Sequence, residues 1–392
     1  MNRFSTFFLV LCLGSMILQS QVMDSHAAEN SSSPLSDARF ARLAKGVNLP
    51  GWLWLENEPI GEVENRLTDD QFSFLHSLGL THIRIPIEFK NIYDEDQPDL
   101  LNQDTIRVLD RAIDKINGFG LAVIVDLHSI RLGETGASDY SGPLDKDPAF
   151  VNTFIQFWSS LAKHLSRHDP EGLFLEPMNE PVFSGHPELW IPIQKKLIQA
   201  IRQNAPNHTI LATSAQWSSI YTFIQLQPLD DPNVVYNFHF YLPFYFTHQG
   251  ATWSSENVKS MRHVPYPSSP ERVQKAVDSV KEEENKKDLR NYGEERWDAI
   301  KIDQEIAKAA EWAKNNRVRI TCNEFGAYRR FAPEADRVQW MQDVREAFEK
   351  YNIGWTMWDI DGGFGAFSRE NGRLTITPEM QNAMGLVSVP NQ

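Results

Sequence analysis

Short apolar runs alternate along the chain with longer stretches in which apolar residues recur every three or four positions. Strands buried on both faces read as continuous apolar runs, and amphipathic helices read with a period near 3.6. Runs of the first kind span 45–50, 81–87, 121–128, 173–182, 208–214, 233–241, 318–326 and 353–360. Helical patterns follow them at 70–79, 104–120, 149–166, 188–204, 219–226, 298–316, 335–351 and 377–385. In 104–120, Ile106, Leu109, Ile113 and Ile116 mark one face. Strand and helix thus alternate about eight times, which predicts an α/β chain folded as one (β/α)8 TIM barrel. A doubly wound open sheet is the alternative. That fold usually carries a glycine-rich phosphate turn after its first strand, and "KGVNLPGW" is not one. The largest departure from a minimal barrel is a long insertion after the sixth strand, 242–297. Its aromatic opening, 242–253, is expected to wall a cleft, and its charged half, 271–288, reads as a solvated helical face.

The first residues do not join this rhythm. Arg3 precedes an apolar stretch at 7–18, and a small-residue site follows at Ser25-His26-Ala27. The stretch is shorter than the ~20 residues that cross a bilayer and has the layout of a signal peptide, 1–28, cleaved near Ala27 or Ala28. A secreted or periplasmic protein is predicted, free of the membrane after cleavage. Residues 29–40 are expected to be a flexible lead-in and 41–392 the catalytic barrel. Cleavage leaves Cys322 as the one cysteine, so no internal disulfide is expected; at Cys322, a core-filling role is expected over a reactive thiol.

The net charge is −14, with 52 acidic against 38 basic residues. This argues against a nucleic-acid or anionic-membrane partner and favours a neutral substrate. The polar residues of the apolar strands gather near their C-terminal ends, the rim that carries chemistry in a (β/α)8 barrel. Asn48 ends the first strand, Arg84 lies in the second, and Asp126 and His128 end the third. The fourth contributes Glu176, Asn179 and Glu180, the sixth His239 and Tyr241, the seventh Glu324, and the eighth Trp358 and Asp359. Side chains two apart share a face of a strand. On that spacing Glu176, Met178 and Glu180 point one way, as do Ile320, Cys322 and Glu324. If those faces line the barrel, Glu180 and Glu324 meet across one cleft. Two carboxyl groups flanking a substrate are the requirement of glycoside hydrolysis, with retention at a separation of about 5–5.5 Å and inversion at about 6.5–9.5 Å. A zinc site built on Asp126 and His128 would need further ligands, and no His-x-His spacing appears. No metal or organic cofactor is expected.

Asn179-Glu180-Pro181 on the fourth strand and Glu324-Phe325-Gly326 on the seventh resemble the signatures of glycoside hydrolase family 5, the cellulase and mannanase family. Arg84 in "IRIPI", His128 in "DLH", His239 and Tyr241 in "HFY", and Trp358 in "MWDIDGGFG" match other family positions in order, over about 46–367. The resemblance implies a retaining glycosidase with Glu180 as acid/base and Glu324 as nucleophile. It implies that Asn179 bonds the sugar 2-hydroxyl, that Tyr241 and Arg84 keep Glu324 ionised, and that Trp358 lies beneath the sugar at the scissile bond. Glu176 is expected to pair with Arg84 or His128 rather than to react. The implied partner is a β-glucan polysaccharide or oligosaccharide, cut as a β-1,4-glucan, by a monomer. Exo-β-1,3-glucanase and β-mannanase activities are the alternatives within the family, the first because "GVNLPGWL" resembles such enzymes. A catalytically silent carbohydrate-binding barrel is the alternative outside it. Trp52, Trp54, Trp190, Trp217 and Trp253 stand between subsite and packing roles.

Overall fold

The computed structural model describes residues 34–51, 53–54, 66–130 and 141–388. The predicted signal segment and Trp52 lie outside these. Eight parallel strands close into a barrel in sequential order. They are β1 (Lys45–Asn48), β2 (His82–Glu88), β3 (Ala122–Ser129), β4 (Leu173–Glu176), β5 (Thr209–Thr213), β6 (Val234–Phe240), β7 (Arg319–Phe325) and β8 (Gly354–Met357). The expected (β/α)8 architecture is what forms. Several helices between the strands begin where side chains cap their free N–H groups. Thr68 and Gln71 make a reciprocal capping box on Asp69–Ser77. Asn102, Asp147 and Asp298 cap Gln103–Gly118, Pro148–Leu165 and Ala299–Asn316. Each such cap contributes ~1 kcal/mol. The face marked by Ile106, Leu109, Ile113 and Ile116 is buried as its period requires.

Residues inside the barrel change character along the strands. Ala122 and Ile124 of β3, Phe174 of β4, Leu211 of β5 and Val235 of β6 form a small apolar cluster with Phe40 and Leu43. Two or four residues further along the same strands stand Asp126, His128, Glu176, Asn237 and His239, all buried. An apolar floor therefore supports a polar layer. Within the expected lead-in, residues 34–40 are described, and they contribute to that floor. Ser36 caps a short helix, Asp37–Ala41, which delivers Phe40.

Three strands end differently from their sequence patterns. β4 stops at Glu176, six residues before the apolar run does, and β8 stops at Met357. β7 contains a bulge. Cys322 pairs with Phe238 but Glu324 with His239, so Asn323 is an extra residue in the ladder. The inserted residue resets the alternation. Ile320 and Cys322 pack in the larger core with helix residues Trp340 and Phe348, and Glu324 turns to the other side. The shared face predicted for Ile320, Cys322 and Glu324 is therefore not formed. The insertion is folded, with short helices at Phe244–Thr247, Glu256–Ser260, Gln274–Ser279 and Glu283–Glu295. The charged run 271–288 is split between the last two. A hairpin, β9 (Ser368–Glu370) and β10 (Arg373–Thr375), was not legible in the pattern. No helix among the described residues is long and apolar enough to cross a membrane.

Candidate active site

Arg84 of β2 is fully buried at the centre of the polar layer. Its Nε and Nη2 donate to the two oxygens of Glu176 at 2.9 and 3.0 Å. Nη1 donates to Asn48 Oδ1 and Glu324 Oε1, both at 2.8 Å. Nη2 also reaches Asn179 Oδ1 at 2.7 Å and Asp126 Oδ2 at 2.9 Å. Burial alone would lower its pKa, yet the carboxylates of Asp126, Glu176 and Glu324 hold it above the ordinary value. One guanidinium does not balance three ionised carboxylates in a site this dry. Burial pushes both Asp126 and Glu176 up to about 7, against the opposing pull of Arg84.

The bulge of β7 is locked into this network. The Asn323 backbone N–H donates to Asn237 Oδ1 at 2.9 Å, and its carbonyl accepts from Asn48 Nδ2 at 2.9 Å. The Asn323 and Asn237 side-chain amides donate to Glu176 at 2.8 and 2.9 Å. The backbone groups that the missing ladder rung leaves open are thus satisfied by side chains, as buried groups must be. Glu176 pairs with Arg84, as expected, and not with His128, which binds Asp126 at 2.7 Å.

The segment after β4 is held from three sides. Trp158 Nε1 donates to the Pro177 carbonyl at 3.0 Å, the Asn179 N–H donates to Leu127 O at 2.9 Å, and Ser218 Oγ donates to Asn179 O at 2.6 Å. Because the strand has ended, strict alternation does not apply. Asn179 and Glu180, adjacent in sequence, both enter the cleft: Asn179 meets Arg84, and Glu180 Oε1 lies 2.8 Å from His239 Nδ1.

Glu324 and Glu180 face one another. Single oxygens of each, together with a nitrogen of His239, lie within 4.8 Å of one another. Glu324 Oε2 accepts from the Tyr241 hydroxyl at 2.9 Å. Burial raises both carboxyl pKa values, but unequally in cause. Glu180 is pushed further by the charge of Glu324. Glu324 is pulled back by Arg84, His128 and the Tyr241 hydroxyl. Glu180 is therefore the group that keeps a proton while Glu324 gives one up. Burial, then Arg84 and His128, hold His239 well below its usual pKa, so its ring stays neutral. The Tyr241 hydroxyl is raised by burial and by Glu324, and it remains a donor. A proton donor and an anion thus flank one gap.

Aromatic rings line two sides of that gap. His128 stacks on Trp358 at 5.1 Å with 10° between planes, and Trp54 lies 4.2 Å from His128. Trp54 Nε1 is fixed by Ser129 Oγ at 3.0 Å. On the other side His248 and Phe364 stand edge-on to Tyr241 at 5.0 and 5.8 Å. Trp253 and Tyr328 continue this rim from Phe364. The start of the insertion does wall the cleft. Trp217 is 43% exposed, and its backbone N–H donates to the Pro181 carbonyl at 3.3 Å, directly after Glu180. Trp190, in contrast, is fully buried and bonded to Thr213 O, so it packs the core.

The eight residues of the expected site, Arg84, His128, Asn179, Glu180, His239, Tyr241, Glu324 and Trp358, converge here. Asn237 and Asn323 were not singled out, although an asparagine inside "VVYNFHF" or "RITCNEF" is a visible signal. Among the described residues, Glu180, His239 and Glu324 are the set with metal-ligating spacing, but a cation there would compete with Arg84 for Glu324. The His-x-x-x-His pair that the chain does contain, His164 and His168, binds Asp110 at 3.0 Å through both rings, beside Arg167.

Residues 44–363 match the family model described as "Cellulase (glycosyl hydrolase family 5)". Among curated relatives, "Endoglucanase 3" of Fibrobacter succinogenes is 28% identical over 88% of this chain, which spans 53% of that protein. "Endoglucanase C" of Acetivibrio thermocellus is 26% identical over 80% of this chain and 90% of its own length. Among solved structures, the endoglucanase Cel5A of Thermotoga maritima is 25% identical, with a TM-score of 0.70 over 88% of this chain and 99% of that one. Cel5A has also been solved with mannotriose, at a TM-score of 0.68.

Proposed function

Because the chain belongs to glycosyl hydrolase family 5, the cellulase family, we propose that it cuts β-1,4-glucan internally, by double displacement with retention. The observation that carries the mechanism is the carboxyl pair: one oxygen of Glu180 and one of Glu324 lie within 4.8 Å of each other across the cleft. Retention uses a separation of about 5–5.5 Å, and the water needed for inversion requires a wider gap. Glu180 protonates the leaving oxygen. Glu324, ionised beside Arg84 and Tyr241, attacks the anomeric carbon and forms a glycosyl-enzyme. Its charge is then spent, so Glu180 more readily gives up a proton and activates water on the second step. Asn179 meets the sugar 2-hydroxyl, and Trp358 stacks beneath the same ring. Trp217, whose backbone bonds Glu180's neighbour Pro181, and the Trp253 rim receive neighbouring sugars, since both side chains are exposed.

The endoglucanase names of the relatives support the glucan assignment. A mannan is the second reading, favoured by the mannotriose complex of Cel5A. Purified protein on a panel of β-glucans and mannans separates them: the polymer whose viscosity falls with release of oligosaccharides is the substrate. Proton NMR of the first product is expected to give the β-anomer, and an α-anomer would exclude double displacement. We assign residues 1–28 to export and the working state to a monomer. Sizing chromatography tests the latter.

A further inference from the structure

A second hollow, of about 510 Å³, lies beside the aromatic rim. His263, Arg272, Lys275 and Arg330 line it around Phe331, and no carboxylate is among its lining residues. Arg272 is paired with Asp336 at 3.0 Å. His263, Lys275 and Arg330 meet no carboxylate partner among the described residues. A further guanidinium, Arg262, lies 3.7 Å over the Phe331 ring, and that of Arg330 lies at 5.2 Å. Basic groups thus crowd one ring in a chain of net charge −14. Neighbouring like charges repel, and an anion in the hollow would relieve them.

A chain of packed side chains links the wall of the hollow to the cleft. A Cβ on Gly250 would fall 2.2 Å from the Phe331 ring, so the insertion runs flat against it. Three residues later Trp253 stands edge-on to Tyr328 at 5.0 Å. From Tyr328 the rim passes through Phe364 to Tyr241, which bonds Glu324. We propose that this hollow binds an anionic group, carboxylate or phosphate, carried on a glucan whose backbone crosses the Trp253 rim toward Glu324. The proposal rests on the glucan reading of the cleft and extends it to the class of substituent.

The test uses the full chain and three soluble polymers of one backbone: hydroxyethyl, carboxymethyl and phosphorylated cellulose. Affinity electrophoresis reads binding without turnover, and reducing-end release reads KM. An anionic polymer should retard the protein more than the neutral one, despite the protein's own negative charge. The double variant Lys275→Ala with Arg330→Ala should lose this excess. Both side chains are exposed and lie outside the catalytic machinery. Its KM on that polymer should rise about three- to tenfold, the loss of two exposed charge contacts, with a change below about twofold on hydroxyethyl cellulose. Stronger retardation by carboxymethyl cellulose identifies a carboxylate, and by the phosphorylated polymer a phosphate. Equal retardation by all three, or an excess that survives in the variant, overturns the site. Excess retardation with no cleavage of any polymer overturns the glucanase reading and leaves the basic site standing.

Discussion

Replacing Tyr241 with Phe removes one hydroxyl and tests which carboxyl group must be ionised. Glu324 accepts two strong bonds, from Arg84 on Oε1 at 2.8 Å and from Tyr241 on Oε2 at 2.9 Å. Burial raises its pKa, and Arg84 and this hydroxyl oppose the rise. A hydrogen bond to a charged group is worth ~1.5–3 kcal/mol, or about 1–2 pKa units at 1.36 kcal/mol per unit. Arg84 remains in the variant and water can reach the vacated oxygen, so the lower end, about one unit, is expected. The sign follows from the stabilised form. Tyr241 favours the carboxylate, so its loss raises the pKa of Glu324. The two carboxyl groups titrate as a pair. The first proton leaves Glu324, and the hydroxyl acts on that step. In the second step Glu324 is already ionised, and the hydroxyl contributes equally on both sides. The acid limb of the kcat/KM profile should therefore move up by about one unit while the alkaline limb stays. The assay is kcat/KM on an aryl β-glycoside across the pH range, with wild type in parallel. A uniform fall in rate with an unshifted profile would refute the argument. A shift confined to the alkaline limb would exchange the roles of Glu180 and Glu324.

Glu180→Ala should lower the rate ~10²–10⁴-fold, less with dinitrophenyl than with phenyl leaving groups; equal losses across that series would count against its role as acid. Glu324→Ala should abolish turnover of both, measured by single-turnover release of the aryl group. Glu176→Gln, which sets an amide among the donors of Arg84, Asn237 and Asn323, should cost ~3 kcal/mol in urea unfolding at pH 8, where Glu176 is ionised, the scale of a broken buried pair. Asp126 and Glu176, with folded pKa values raised to about 7, hold their protons more tightly folded than unfolded. Their contribution to stability should be full below about pH 4 and lost as pH rises through 7, at up to ~1.4 kcal/mol per unit for each proton. Tm measured from pH 4.5 to 7.5 should show this slope, and Asp126→Asn should flatten it.

The barrel was legible because its strands are buried on both faces and its helices on one, and the two periods differ. The residues of the candidate site were legible because charged side chains are rare inside apolar runs. Two kinds of detail escaped. Counting by twos placed Ile320, Cys322 and Glu324 together, but a single extra residue in the ladder breaks that count without a mark in the hydrophobic pattern. The run 173–182 looked like one strand because Met178 and Val182 continue it. Its second half is tied instead by Trp158, Leu127 and Ser218, which lie on other elements. The network of Asn48, Asn237 and Asn323 escaped for a related reason. An amide's partners are set by tertiary neighbours, and only the presence of the amide is written locally.

The dislocation at Asn323 gives the enzyme a built-in assembly check. The first and sixth strands each contribute an asparagine that holds the slipped residue, and in that arrangement Glu324 looks toward Arg84. A chain whose ring of strands has not yet closed has Glu324 unaimed, whatever else it has folded. Recovery of activity should therefore lag recovery of helix signal during refolding. Transplanting the seventh strand alone into another barrel would carry the glutamate across without its bearing.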